Sequence, residues 1–183
     1  MRFPISLTRT MAGYLLKKRL AGVKLIAENG KHTAASASQI CDGASGVMVV
    51  NERGLKSLGV KPLARIHHMT MMGGDPVIML EAPLPATQRA LQKAGMSIDD
   101  IDLFEVNEAF AAVPVAWLKT LGADPARLNV NGGAIALGHP LGMTGARLLL
   151  TLLLELRRRG AKRGLATACI GGGQGIAAIV ETV

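Results

Sequence analysis

The chain has 183 residues, of which 49% are hydrophobic and 3% aromatic, and carries a formal charge of +8. That length suffices for one domain of ordinary size and part of a second, with a core built from Leu, Ile, Val, Ala and Met. The charge suits a nucleic acid, a membrane surface or a polyanionic small molecule. However, aromatic side chains for base stacking are scarce, no nucleic-acid motif is present, and no apolar run reaches the ~18 residues needed to cross a bilayer.

In chain order, residues 13–29 read as a short basic helix through Tyr14-Leu-Leu-Lys-Lys-Arg-Leu20, with a turn at Glu28-Asn-Gly30. Between Met1 and Ala27 stand six basic residues and no acidic one, but without the serine richness of a transit peptide. A small-residue stretch, Thr33-Ala-Ala-Ser-Ala-Ser38, leads to Val47-Met-Val-Val50, a continuous apolar run of the kind found in fully buried strands. Glu52 to Leu58 suggests a helix stopped by Gly59, and a new unit opens at Lys61-Pro62. Residues 63–71 read as a strand, Gly73-Gly-Asp-Pro76 as a turn, and 86–94 as a helix with Gly95 as its cap. Ile101-Asp-Leu-Phe-Glu-Val106 alternates at period two and reads as a strand. The helix that follows runs over 109–121, and Pro114 requires it to start near 111–113. Asn129-Val-Asn131 is a short strand or turn, and 144–159 is a helix with a basic last turn and Gly160 beyond it. Finally, 165–170 and 175–180 are apolar strands joined by Gly171-Gly-Gly-Gln174, a connection so short that they must pair antiparallel.

Two cysteines, Cys41 and Cys169, and four histidines, His32, His67, His68 and His139, complete no metal-ligand spacing. With no secretory signal, a reduced cytoplasmic protein is the reading the thiols favour. No dinucleotide or phosphate-loop motif is present despite the many glycines, so no bound cofactor is expected.

Three short motifs carry the chemistry. His139 lies in Asn131-Gly-Gly-Ala-Ile-Ala-Leu-Gly-His-Pro140, and Cys169 opens Cys169-Ile-Gly-Gly-Gly173. Asn107-Glu-Ala-Phe110 sits between a strand and a helix. A lone Gly-His-Pro is most often a satisfied loop histidine, a strand-end cysteine a small buried hydrophobe, and an Asn before a helix an N-cap. Together, a titratable ring and a thiol in backbones nearly free of side-chain bulk favour acid–base chemistry on a closely approaching ligand.

In this order and spacing the motifs resemble the C-terminal half of the thiolases, which make or cleave the carbon–carbon bond of a 3-ketoacyl-CoA. The resemblance runs from about Lys31 to the last residue. It implies an α/β fold, a thiolase-like C-terminal half with a mixed five-stranded sheet covered by helices. It further implies that His139 activates the nucleophilic cysteine and donates to the thioester oxygen, and that Cys169 exchanges a proton with the α-carbon. On the same basis Asn107 holds an oxyanion-hole water, the Gly171 N–H serves the other oxyanion hole, and Ser38 bonds the pantetheine arm of CoA. At that arm the sequence departs from the commonest family version, with Ser36 where Asn is usual and Ala35 where Gly is usual.

The implied plan places residues 1–37 in the tail of a loop domain, 38–61 as the last strand and helix of the N-terminal half, and 62–183 as the C-terminal domain. The family's acylated cysteine falls in an N-terminal half that this sequence does not contain. Thiolase-type acyl transfer therefore implies CoA and acyl-CoA as ligands, with an N-terminal half or another subunit as partner and a homo-oligomeric full enzyme. Neither nucleic acid nor membrane is an expected partner. The alternative is an inactive remnant or subunit that binds CoA or a partner. Cleavage and condensation both stay open, although Gly74-Asp-Pro-Val-Ile-Met-Leu80, a few residues longer than in short-chain versions, hints at a degradative enzyme with a larger substrate.

Overall fold

Residues 21–183 are described by a computed structural model. The basic helix expected from residue 13 lies outside the described residues up to residue 20, as does most of the acid-free N-terminal stretch. The turn at Glu28-Asn-Gly30 forms, with Asn29 at φ 60° and Gly30 N donating to Ala27 O at 3.0 Å.

The elements, in order, are helix α1 (Glu52–Leu58), strand β1 (Ala64–Gly73), helix α2 (Pro83–Ala94) and strand β2 (Leu103–Val106). Helix α3 (Ala112–Leu121), the single turn α4 (Ala134–Leu137) and helix α5 (Leu141–Arg159) follow. The strands β3 (Arg163–Ile170) and β4 (Gln174–Thr182) close the chain. The sheet order is β1-β4-β3-β2, with β2 parallel to β3 and the other two pairs antiparallel. The expected tight hairpin between the last two strands is present, with Ile170 opposite Gln174. Helix α2 starts three residues earlier than the periodicity placed it, because Pro83 and Pro85 fit a first turn whose N–H groups have no intrahelical acceptor.

The sheet has four strands among the described residues, where five were expected. Asn129-Val-Asn131 is reduced to one parallel bridge, Leu128 opposite Phe104. The physical reason is Asn129, whose φ of 43° bends the backbone out of strand geometry. Its side chain takes over the strand's bonding: Oδ1 accepts from Val106 N at 2.8 Å and Nδ2 donates to Val106 O at 2.9 Å. A second difference concerns Val47-Met-Val-Val50. It forms no strand and pairs with none of the described strands, and Met48 and Val49 are 74% and 69% exposed.

Helices cover both faces of the sheet along β2, β3 and β4, while Met69 and Met71 of β1 stay exposed. Phe104, Val106, Leu165 and Ile179 point to one side, against α2 and α3, where Trp117 packs on Phe104 with ring centroids 5.1 Å apart. Trp117 Nε1 donates to Thr87 Oγ1 at 3.0 Å, so the largest core side chain is also satisfied. Leu103, Ala166 and Val180 point to the other side, against Leu148, Leu152, Leu153 and Leu156 of α5. At the far end of the hairpin Glu181 meets Arg65 at 2.6 Å, Arg163 at 3.1 Å and Lys162 at 3.5 Å.

Leu152 is 1% exposed in the α5 layer, so Leu152→Ala is expected to cost ~2–5 kcal/mol, read as a fall in the denaturation midpoint. The Arg65 hydrogen bond, with help from Arg163 and Lys162, holds the Glu181 carboxyl down at about 2. A depressed carboxyl stabilises the fold above its ordinary range and loses that contribution as pH falls through the folded value. Thermal unfolding followed from pH 5 down to pH 2 should therefore show an acid limb that is shallower in Glu181→Gln.

Candidate active site

The parallel pairing of β2 and β3 decides where the motifs meet. Val106 lies opposite Thr167, and Asn107 N donates to Thr167 O at 3.0 Å. Asn107 and Cys169 therefore leave the sheet at the same edge, outside the carboxyl ends of these strands, where open α/β sheets place their ligands. On its α5-facing side β2 presents Leu103, then Glu105, with Asn107 just beyond its end. The facing side of α5, taken from C- to N-terminus, runs Leu156, Leu152, Arg147 and Thr144. The layer is thus dry at one end and polar at the other, and His139 stands at the polar end, just before α5 begins.

A line of hydrogen bonds fixes the ring of His139. Thr144 Oγ1 donates to Pro140 O at 3.0 Å, which leaves its oxygen to accept from His139 Nδ1–H at 2.6 Å. Nε2 then carries the lone pair and faces Asn107 Nδ2 at 3.4 Å. Burial, with the Arg147 charge adding to it, holds the imidazole below its ordinary value. The ring is neutral near pH 7, with its basic nitrogen turned toward the sheet edge.

The backbone around the ring is held from a distant part of the chain. His139 N donates to Gln39 O at 2.8 Å, and the Cys41 thiol packs on the Cα of Gly138. Gly138 has φ 91°, and any side chain there would overlap that sulfur, so only glycine fits. Ser38 donates through both N and Oγ to Ala109 O, at 3.1 and 3.0 Å, and Ala111 N donates to Ser36 O at 2.8 Å. The segment at 36–39 is thereby tied to the Asn107-Glu-Ala-Phe110 loop, with the Ser38 hydroxyl engaged within the protein.

Cys169 is part-buried at the end of β3, opposite Gly175, and burial pushes its thiol up. No side-chain hydrogen bond among the described residues links it to His139 or Asn107; strand register alone places it on their edge. Gly171 lies exposed in the turn that follows. Gly173 has φ 79°, and a Cβ there would come within 2.8 Å of Asp75 O, so the turn lies flat on the 74–75 backbone. Gly74 N donates to Gly173 O at 2.7 Å, and a cleft of about 150 Å³ opens beside it between Gly74, Asp75, Ile78, Ala82, Leu84 and Pro85. Met79, in the same loop, holds φ 59°, a strained value for a non-glycine residue.

Glu108 accepts from Asn129 Nδ2 at 2.9 Å and from Ile135 N at 3.2 Å, which ties its loop to the glycine-rich segment before His139. Four residues of the site carried no sequence signal of their own. Thr144 looks like a helix start, Asn129 like a turn residue, Glu105 like an outward strand position and Arg147 like a solvated helix residue. The alternation in 101–106 did place Glu105 on the face of Asn107, but nothing local marks α5 as the layer covering that face.

A neutral imidazole with a free Nε2, an amide donor beside it and a protonated thiol on the same edge can accept one proton, donate another and hold an oxyanion. Among the described residues no cluster of side chains suits a metal ion.

Comparison with known proteins gives the same outline. The family model for the thiolase C-terminal domain matches residues 60–182. A steroid 3-ketoacyl-CoA thiolase of Mycobacterium tuberculosis is 56% identical over 164 residues, covering 90% of this chain and 40% of that protein. The acetyl-CoA acetyltransferase of Pseudomonas aeruginosa is 55% identical over 150 residues, 82% of this chain and 38% of its own length. The crystal structure of the Bacillus anthracis acetyl-CoA acetyltransferase superposes with a TM-score of 0.87 at 43% identity, covering 91% of this chain and 42% of its own. A human mitochondrial 3-ketoacyl-CoA thiolase in complex with CoA gives 0.83 at 46% identity, again covering 91% of this chain and 42% of its own. The chain spans about 40% of the length of the curated relatives it matches.

Thr144→Val removes the hydroxyl that both Pro140 O and His139 Nδ1 use, at an expected cost of ~1–3 kcal/mol. It should also release the tautomer. Ring ¹⁵N shifts of His139, set at Nδ1–H in the unchanged chain, are expected to move toward a mixture of both forms.

Proposed function

The chain belongs to the thiolase family, and from that membership we propose that it is the C-terminal part of an acyl-CoA acyltransferase. The observation that carries this reading is the Asn107–His139–Thr144 line of hydrogen bonds, set on the sheet edge that Cys169 shares.

In thiolysis, a nucleophilic cysteine supplied by the N-terminal half loses its proton to His139 Nε2. The thiolate attacks the 3-keto carbon, and the bond between carbons 2 and 3 breaks. The departing acetyl-CoA enolate takes its proton from the Cys169 thiol. A CoA thiol then returns a proton to the Cys169 thiolate and takes the acyl group, and the released nucleophilic cysteine recovers its proton from His139. Two donor sets hold the oxygens that gain charge. His139, now protonated at Nε2, and a water on Asn107 hold the thioester oxygen, while the Gly171 N–H holds the acyl oxygen. Condensation runs the same steps in reverse, with Cys169 taking the α-proton. A thiol held protonated by burial suits the cleavage direction, and the cleft beside Gly74 and Ile78 suits an acyl group larger than acetyl.

The same reading assigns residues 62–183 to the C-terminal domain and 38–61 to the end of the N-terminal half. It takes CoA and acyl-CoA as substrates without a bound cofactor, and Ser38 as the hydroxyl nearest the pantetheine arm. The exposed apolar side chains of Met48, Val49, Met69 and Met71 suit a partner half, in a homo-oligomer of the cytoplasm. No helix among the described residues is long and apolar enough to cross a membrane.

The test is thiolysis of acetoacetyl-CoA and of a longer 3-ketoacyl-CoA by the purified chain, alone and with a separately made N-terminal half. Turnover is expected only in the mixture, and Cys169→Ala should lower kcat by ~10²–10⁴. Turnover that survives Cys169→Ala would sink the role given to that thiol. No turnover under either condition would favour a chain that binds CoA or a partner without catalysis.

A further inference from the structure

Beneath the site lies a group of buried polar atoms that the reaction above does not use. Glu105 Oε2, Asn107 Oδ1 and all three guanidinium nitrogens of Arg147 are buried without a hydrogen-bond partner among the described residues. The side chains of Glu105 and Arg147 are 2% and 12% exposed, and Nη1 stands 3.8 Å from Oε2. That separation is too long for a direct hydrogen bond and suits a bridge through water.

Buried polar groups are almost always bonded, and an arginine left unpaired in a leucine layer is costly. Methionine would fill position 147 between Thr144 and Leu148 equally well, so the guanidinium calls for a polar explanation. Asn107 supplies one. Its Nδ2 faces His139 Nε2, so Oδ1 is turned away from the ring and needs a donor. Of the three residues Arg147 has the most donors to spare, since its three guanidinium nitrogens are all unpaired while a protonated Glu105 offers a single O–H.

We propose that Arg147 is a positioning residue: through water shared with Glu105, its guanidinium donates to Asn107 Oδ1 and so keeps the amide NH2 aimed at the substrate side of His139. This rests on the thiolase reading of Asn107 and adds to it. While Nε2 is a lone pair, His139 itself selects the correct amide rotamer. Once Nε2 is protonated that preference reverses, and the ring favours the flipped amide, with Oδ1 toward it. A donor fixed behind the amide holds Nδ2 forward in both protonation states, so both oxyanion donors point the same way when charge develops. The charge that acts on His139 is Arg147 from α5, which in turn meets the titratable carboxyl of Glu105 on β2, with Glu108 of the following loop near that carboxyl; the Cys41 thiol lies beside Gly138.

The experiment is NMR on the chain itself, following exchange of the Asn107 side-chain NH2 and titration of the His139 ring in Arg147→Met and Arg147→Lys. In Arg147→Met the NH2 should exchange about tenfold faster, the factor that a hydrogen bond of this class supplies. The His139 midpoint should rise as the cation leaves. Arg147→Lys, which keeps a charge and a donor, should recover most of both. Unchanged Asn107 protection in Arg147→Met would overturn the proposal, as would equal loss in both variants at an unchanged melting temperature. If Arg147→Met does not fold, water-to-protein NOEs in the unchanged chain decide. Long-lived water at both the Arg147 guanidinium and the Asn107 NH2 supports the proposal, and its absence at Asn107 overturns it. None of these readouts needs turnover, so a failed thiolysis assay and a failed positioning role are told apart.

Discussion

The constraint on which the site depends is the parallel register of β2 with β3. Four residues of β2 are buried on both faces, and their hydrogen bonds run to β3 on one side and to little more than Asn129 on the other. A short, doubly buried strand cannot slip by one residue without turning Phe104 and Val106 away from their helices and bringing Glu105 among them. The same register sends Asn107 and Cys169 out at one edge. Site geometry is therefore a consequence of core packing, and the motif loops need only supply the last few ångströms.

Along α5 the structure changes from solvent-free packing to hydrogen bonding within two turns. Leu156, Leu152 and Leu148 meet Leu103, Arg147 meets Glu105, and Thr144 meets His139. Burial pushes the Glu105 carboxyl up to about 8, against the pull of Arg147, with Glu108 and Glu155 adding to the rise. The same surroundings lower the imidazole and raise the thiol. All three shifts favour uncharged forms, the expected result where titratable side chains are kept from water. At the other end of the helix the opposite holds. Glu155 is buried yet held well below the usual carboxylate range, chiefly by Arg158, with Arg159 and Asn131 also bonded to it. That ionised anchor ties the start of the glycine-rich segment at Asn131 to the last turns of α5.

Much of this was legible in the sequence because local rules were obeyed. Alternation marked β2, a glycine turn fixed the final hairpin, and capping glycines ended α1, α2 and α5 where they stand. Resemblance to the thiolase motifs singled out Asn107, His139 and Cys169, and strand register puts Asn107 and Cys169 at one sheet edge with His139 bonded to Asn107. What escaped was non-local. Of the strand or turn expected at 129–131 the turn forms, and a side-chain amide does the work of a peptide group there, which propensity cannot foresee. The apolar run at 47–50 has the composition of a buried strand, but burial needs a neighbour, and none of the described residues supplies one. Glu105 and Arg147 look ordinary singly, and their meaning lies in facing each other across a layer.

The segment around residues 36–45 shows how a region with almost no regular structure can still be specified. Its backbone and side chains satisfy groups that the site leaves open. Ser36 O accepts from Ala111 N, Ser38 serves Ala109 O, Gln39 O accepts from His139 N, and Ser45 Oγ donates to Met143 O at 3.0 Å. All of these backbone groups but Met143 O, which lies within the first turn of α5, sit in loops or at a helix start where no helix or sheet partner is at hand. A loop that carries reactive side chains close to a ligand cannot also bond itself fully, and here the missing bonds come from about 70 to 100 residues earlier. The bare Gly138 Cα lets Cys41 lie against it, next to the Gln39 carbonyl that holds His139 N. The loops that hold Asn107 and His139 and the segment around residues 36–45 are therefore one folding unit in physical terms.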